Sequence, residues 1–112
     1  MCLFCKIADK QIPSKILFED DDLLAFHDIN PVAPTHVLII PKQHVQSLRD
    51  GTPEHGALFG KLLLAASRAA ELTGVAQSGY RVVANTGPDA GQTVFHLHVH
   101  VLGGRPMAWP PG

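Results

Sequence analysis

The 112-residue sequence lacks most of the features that mark exported, membrane or nucleic-acid-binding proteins. Its start has no long apolar stretch of the signal-peptide kind, so we expect a cytoplasmic protein with reduced thiols. No apolar run approaches the roughly 20 residues of a membrane span, so we expect no membrane partner. Nine basic against ten acidic side chains give a formal net charge of -1, which argues against nucleic-acid binding through bulk charge. The length suits a single domain, residues 1–112.

Cysteine is scarce, and the only two cysteines, Cys2 and Cys5, form a C-x-x-C pair. A redox C-x-x-C normally follows a strand and begins a helix, and no strand pattern precedes this one. Metal binding is the better interpretation if two further ligands exist elsewhere in the chain. The alternative is a pair of reduced thiols beside a short turn.

Apolar patterning predicts one long helix among short strands. The helix begins after Thr52, has Pro53 at its first position and ends at Gly74. Its apolar stripe comprises Leu58, Phe59, Leu62, Leu63, Ala65, Ala66, Ala69 and Leu72. A helical turn is expected at 4–7 and strands at 15–19, 23–28, 36–40, 80–85 and 95–102. This order predicts the α+β class with a mainly antiparallel sheet, and the short connections favour a meander.

Three of the seven histidines lie within five residues, in the segment Phe-His-Leu-His-Val-His-Val at 95–101. If this segment is a strand, His96, His98 and His100 share one face, about 6.5–7 Å apart. The opposite face then packs on the helix through Phe95, Leu97, Val99 and Val101.

Such a row of imidazoles has three interpretations. It could be an ordinary solvent-facing strand side, although lysine, threonine or glutamate would be commoner there. It could bind a metal, although three residues along one strand rarely surround one ion. It could carry out nucleophilic and acid–base chemistry on a phosphate substrate, because neutral imidazole attacks phosphorus and its neighbours can move protons. The loop at 86–93 favours the third interpretation, since its glycines allow backbone N–H groups to approach an anion. His27 and His55 are expected to make only local contacts.

The segment His96-Leu97-His98-Val99-His100-Val101-Leu102 matches the His-φ-His-φ-His-φ-φ signature, and the chain resembles the histidine triad (HIT) family. The resemblance is strongest to the nucleotide-binding branch that hydrolyses nucleoside phosphoramidates. It extends over nearly the whole chain, through Ile12–Lys15, Phe26–Ile29, Ala33–His36, Ile40–Lys42, Gly91–Phe95 and the tail with Trp109-Pro110-Pro111-Gly112.

The resemblance implies a role for each matching residue of the reaction centre. His98 is the nucleophile that attacks the α-phosphorus and forms a nucleotidyl-histidine, which water then hydrolyses. His100 contacts the phosphate oxygens, and His36 belongs to the same hydrogen-bonded network. Thr93 lies near the leaving group.

The resemblance also implies a purine nucleotide site. Asp28 accepts both ribose hydroxyls, although the same residue could be a plain turn residue. The implied base slot consists of Phe4, Ile7, Phe26 and Ile29, each of which could instead be ordinary core. The implied phosphate segment consists of Asn85, Gly91, Gln92, Thr93 and Val94. We expect a preference for purines without strict adenine specificity.

Some bacterial members of the family carry a structural zinc that is not needed for catalysis. The matching ligands here are Cys2, Cys5, His44 and His96, a set that suits closed tetrahedral coordination. If His96 binds zinc, the catalytic histidines are reduced to His98 and His100 with His36.

The implied fold has an antiparallel sheet of about five strands with one long and one short helix. The implied assembly is a homodimer that pairs the long helices, with the extended tail at 103–112 bringing Trp109 near the partner's active site. Three alternative functions stay open: a nucleotidyltransferase of the same superfamily, a zinc hydrolase that uses the histidines as ligands, and a non-catalytic nucleotide-binding protein. Transferases of this kind are longer and usually replace the last histidine, which is present here as His100.

Overall fold

The computed structural model describes residues 2–112, so Met1 of the predicted domain lies outside the described residues. Five antiparallel strands form one sheet: β1 (Ile16–Glu19), β2 (Leu23–His27), β3 (Thr35–Pro41), β4 (Tyr80–Val83) and β5 (Val99–Gly103). A short helix, α1 (Leu3–Ala8), precedes them, and a long helix, α2 (Gly56–Thr73), lies between β3 and β4. The predicted α+β class, with a five-stranded sheet, one long helix and one short helix, is confirmed.

The predicted meander is wrong, because the strand order is β1-β2-β3-β5-β4. β3 and β4 are both antiparallel to β5, so they run parallel to each other. Parallel strands cannot be joined by a hairpin and need a crossover, which α2 provides. The crossover leaves room for one strand between β3 and β4, and the last strand of the chain fills it.

The sheet is covered on both faces, as the continuous apolar run of β3 predicts. On one face α2 packs against inward side chains such as Val37, Ile39 and Val101. On the other face α1 places Phe4 and Ile7 against a second cluster of Leu24, Phe26, Leu38 and Ile40. Strand alternation assigns neighbouring residues of β3 to different cores.

The buried face of the long helix is narrower than the apolar stripe in the sequence predicts. Its start at Thr52 and Pro53 forms a 3-10 turn, in which the Thr52 N–H donates to His55 Nδ1 over 2.9 Å. Gly74 ends the helix in the left-handed conformation at φ 81°. The buried residues are Leu62, Ala65, Ala66, Ala69 and Ala70, whereas Leu63 and Leu72 are 62% and 55% exposed. Alanines bring the helix axis close to the sheet, so larger side chains at the margins of the stripe are left outside.

The histidine segment is only partly a strand. β5 begins at Val99, four residues later than predicted, because the Leu97 N–H donates to the Val45 carbonyl outside the sheet. Phe95, predicted to face the helix, is therefore exposed, while Leu97, Val99 and Val101 are buried in the α2 core as expected. The other strand ends agree with prediction to within two residues. No helix within residues 2–112 is long and apolar enough to cross a membrane.

Candidate functional site

Two histidines at the start of β5 form the centre of the candidate site. His98 is buried, and its Nδ1 lies 2.7 Å from the His96 carbonyl oxygen. A carbonyl only accepts, so Nδ1 carries the proton and Nε2 keeps a free lone pair. The ring centroid of His100 is 5.0 Å away, and the edge-on ring of Phe4 lies at the same distance on another side. In a neutral His98 ring this hydrogen bond therefore leaves Nε2 as the unprotonated nitrogen.

A chain of hydrogen bonds fixes the protons on the next two imidazoles. The Val32 N–H donates to His36 Nδ1 over 3.2 Å, so the proton of neutral His36 is on Nε2. That Nε2–H lies 2.9 Å from His100 Nδ1 and donates to it. The remaining proton of His100 is therefore on Nε2, where it can donate to a phosphate oxygen.

Burial keeps both imidazoles of this relay uncharged. Burial, together with the neighbouring His98 and His36, lowers the pKa of His100 to about 4, while Asp28 opposes the shift. Burial also lowers the pKa of His36, again against the effect of the Asp28 carboxylate. At neutral pH the relay donates hydrogen bonds without carrying a net positive charge.

Asp28 makes the turn contact that was one of its two alternatives, and it also approaches His36. Its Oδ1 accepts from the Asn30 N–H over 2.8 Å, which is the turn role. Its Oδ2 lies 3.4 Å from His36 Nε2, which brings the carboxylate to the histidine relay. The side chain also lines a cavity of about 340 Å³.

That cavity contains all four residues predicted for the base slot. Phe4 and Phe26 meet edge to face at 5.7 Å between ring centroids, and Ile7 is buried beside them. Ile29 is 87% exposed, so it lies at the rim and not in the core. Val94 of the predicted phosphate segment lines the same cavity, which is within the size range of small-molecule sites.

The loop before the histidines is held by one buried amide. Gln92 Oε1 accepts from the Gly87 N–H, and Nε2 donates to the carbonyls of Gln46 and Val94. The side chain predicted to face phosphate is thus engaged inside the protein, and the Gln92 N–H is engaged as well, since it donates to the Gly87 carbonyl over 3.1 Å. Thr93 is exposed, Asn85 is half-buried, and Gly91 adopts a left-handed conformation at φ 77°.

The four predicted metal ligands come together at the other end of the histidine segment. The two sulfurs and the Nδ1 atoms of His44 and His96 lie 3.0 to 3.6 Å from one another in all six pairings. A tetrahedral zinc ion with bonds of about 2.0–2.3 Å requires separations of about 3.3–3.8 Å. His96 is fully buried, and its Nε2 donates to the Pro41 carbonyl over 2.8 Å, so its Nδ1 lone pair points into the cluster. Two thiols and two imidazole nitrogens in this arrangement fit zinc.

Some residues that shape the site give little signal in the sequence. Val32 acts through its backbone N–H, and Arg105 donates to the Val32 carbonyl from the far end of the chain. A backbone donor leaves no residue-type pattern, so only the folded geometry reveals it. The bracing role of Gln92 could have been suspected, because a lone amide in a glycine-rich loop often satisfies backbone groups.

Comparison with known proteins agrees with this geometry. The family model described as HIT domain matches residues 9–107. An uncharacterized HIT-like protein of Synechococcus elongatus is 54% identical over 98% of this chain and 96% of its own length. A 14 kDa zinc-binding protein of Zea mays is 50% identical over 98% of this chain and 87% of its own. The crystal structure of a HIT family hydrolase from Legionella pneumophila superposes with a TM-score of 0.98, at 48% identity and full coverage of both chains. The chain therefore belongs to the HIT domain family.

Proposed function

We propose that this chain hydrolyses the phosphorus–nitrogen bond of purine nucleoside 5′-phosphoramidates and releases the nucleoside 5′-monophosphate. The observation that carries the proposal is the proton arrangement at His98, whose Nδ1–H is tied to the His96 carbonyl and whose Nε2 lone pair is free. A hydrolase among the similar structures supports the reaction class.

The reaction has two balanced steps. In the first, His98 Nε2 forms a bond to the α-phosphorus while the phosphorus–nitrogen bond breaks, and the amine leaves with the electron pair and takes one proton from solvent. In the second, water adds to phosphorus, the bond to Nε2 breaks, and one proton of that water returns to solvent, so that one water is consumed overall. His100 Nε2–H donates to the phosphate oxygens in both steps, and exposed Thr93 adjoins the leaving group.

The rest of the nucleotide extends from the histidines into the cavity. Asp28, which lines the cavity, accepts hydrogen bonds from the ribose hydroxyls through its carboxylate. The purine lies among Phe4, Ile7, Phe26 and Ile29. Asn85 and residues 91–94 contact the phosphate. Because the slot is largely apolar, it favours the large purine surface over a specific base edge.

The residues Cys2, Cys5, His44 and His96 hold a structural zinc ion in this proposal. When bound, zinc would link the start of α1 to the segment that precedes β5 through its coordination bonds. The name of the Zea mays relative supports a zinc site. With His96 engaged there, catalysis is left to His98 and His100 with His36.

We further propose a cytoplasmic homodimer. The outer face of α2 exposes Leu63, Leu64 and Leu72, and β4 is an edge strand of the sheet. Burial of these leucines in a second copy would remove an apolar patch from water. Trp109 is 80% exposed, and in this arrangement it lies near the partner's active site. Light scattering of the native chain tests the dimer, and a monomer mass contradicts it.

The decisive experiment measures release of AMP from adenosine 5′-phosphoramidate by the native chain and by His98→Ala. His55→Ala is the matched control, because it removes an imidazole that accepts from the Thr52 N–H and stacks on Phe59 at the start of the long helix. We expect activity in the native chain and the control, loss in His98→Ala, and an adenylylated native chain by mass spectrometry. Activity retained in His98→Ala contradicts the covalent mechanism.

The same assay separates the alternatives. Loss of activity within seconds of adding a chelator, with the fold intact, would indicate a zinc hydrolase. Transfer of the nucleotide to a sugar phosphate in preference to water would indicate a transferase. AMP binding without turnover of any phosphoramidate would indicate a non-catalytic binding protein.

A further inference from the structure

The side chain of Arg105 is bound to a loop that lies 73 residues earlier in the chain. Its Nε and Nη2 both donate to the Val32 carbonyl oxygen over 3.1 Å, and its Nη1 donates to the Pro106 carbonyl over 3.2 Å. The planar guanidinium group spans both contacts, which a single ammonium nitrogen cannot do.

The turn that carries Arg105 is closely packed on the same loop. Gly104 has φ 91°, and a Cβ built on it would lie 2.8 Å from Pro34 Cβ. This position therefore requires glycine both for its backbone angle and for the close approach. The packing of Gly104 and the hydrogen bonds of Arg105 fix the loop from two directions.

The loop in turn fixes the protons of the histidine relay. The Val32 N–H is the donor to His36 Nδ1, and it forces the His36 proton onto Nε2, which faces His100. Without that donor, His36 can move its proton to Nδ1. His100 would then donate from Nδ1 to His36, and its Nε2 would present a lone pair to the phosphate oxygens, which repel it.

We infer that Arg105 is a positioning residue that holds the backbone of Val32 in place. The Val32 N–H then keeps His36 in its tautomer, and His36 in turn keeps His100 in the tautomer that donates to phosphate. The expected effect on phosphoramidate hydrolysis rests on the proposed function, whereas the tautomers of His36 and His100 do not depend on it. Within residues 2–112, the hydrogen bonds of the Arg105 side chain go to the Val32 and Pro106 carbonyls and not to the histidines.

The test is nitrogen-15 NMR of histidine-labelled full-length protein, together with phosphoramidate kinetics. In native protein we expect the Nδ1 atoms of His36 and His100 to resonate as unprotonated nitrogens. In Arg105→Met we expect these signals to shift toward a mixture of tautomers. We also expect kcat to fall about tenfold, as for the loss of one polar contact, with little change in KM. Arg105→Lys, which can make one of the two contacts, should give an intermediate spectrum and rate.

Arg81→Met is the matched control, because Arg81 also ties the tail, through the Ala108 carbonyl at 3.1 Å, without touching the loop of Val32. It should leave both histidine spectra as in the native chain. Native-like spectra in Arg105→Met, or equal shifts in Arg81→Met, overturn the inference. Shifted tautomers in a protein with no phosphoramidate activity support the positioning role and contradict the proposed function instead.

Discussion

His96 and His98 are two residues apart, yet their rings have opposite proton arrangements. His96 donates from Nε2 to the Pro41 carbonyl and directs its Nδ1 lone pair to the cluster of Cys2 and Cys5. His98 donates from Nδ1 to the His96 carbonyl, which leaves its Nε2 as the free nitrogen. In each case one backbone carbonyl selects the free nitrogen. The same residue type on one short segment thus directs Nδ1 to the cysteines in one ring and leaves Nε2 free in the other.

The largest expected effect is a loss of activity on substitution of His98. His98→Ala should lower kcat for phosphoramidate hydrolysis by at least about 10⁴-fold, because no other group can form the covalent intermediate. The free energy of unfolding should change far less, and urea denaturation measures it in parallel. A rate within tenfold of the native chain would contradict the nucleophilic assignment.

The second prediction concerns His96 and the other three proposed zinc ligands, where we expect a loss of stability and not of activity. Zinc bound at about 1,000 times its dissociation constant adds about 4 kcal/mol to the free energy of unfolding. Removal by a chelator, or the double change Cys2→Ser with Cys5→Ser, should therefore lower stability by about that amount. Thermal denaturation with and without added zinc measures the effect.

The rate per folded molecule should survive that loss of zinc within a few-fold. Equal stability with and without zinc would contradict a structural metal, and metal analysis of the purified protein is the control. A large stability loss with retained turnover would separate the two histidine sites experimentally.

The third prediction concerns pH and the buried relay. Burial lowers the pKa of His100 to about 4 from the usual imidazole value near 6.5. Between these values the unfolded chain binds a proton that the folded chain does not, so stability falls as the pH drops from 6.5 to 4. The contribution of His100 is fully present above pH 6.5 and amounts to about 3 kcal/mol.

Urea unfolding of the native chain and of His100→Gln across this range measures the contribution of His100. The lowered pKa of His36 acts in the same direction in both proteins, so the difference between them isolates His100. Parallel pH dependence in the two proteins would contradict the prediction.

The smallest effect is expected at Asp28, which contacts His36 of the relay and lines the cavity. Asp28→Asn weakens the acceptor for the ribose hydroxyls and should raise KM for adenosine 5′-phosphoramidate about tenfold. The 2′-deoxy substrate, which lacks one of those hydroxyls, should lose less. An equal loss for both substrates would indicate that Asp28 acts on His36 and not on ribose.

The fold class could be predicted from the sequence because each signal for it is local. Alternation in β3 places Val37 and Ile39 in one core and Leu38 and Ile40 in the other. The insertion of β5 between β3 and β4 could not be predicted, because strand order depends on the path of α2 across the sheet. The exposure of Leu63 and Leu72 could not be predicted either, because the alanines of α2 determine how closely the helix approaches the sheet.

The residue types alone establish which side chains are available for chemistry: three alternating histidines, a C-x-x-C pair and a carboxylate at a strand end. Strand alternation and turn chemistry follow from backbone geometry, so they can be predicted before the fold is known. Which nitrogen of each imidazole is free depends on the folded chain, because the partners that fix the protons are backbone groups of Val32, Pro41 and His96. Every residue carries those groups, so no sequence pattern distinguishes the ones that folding brings next to a ring.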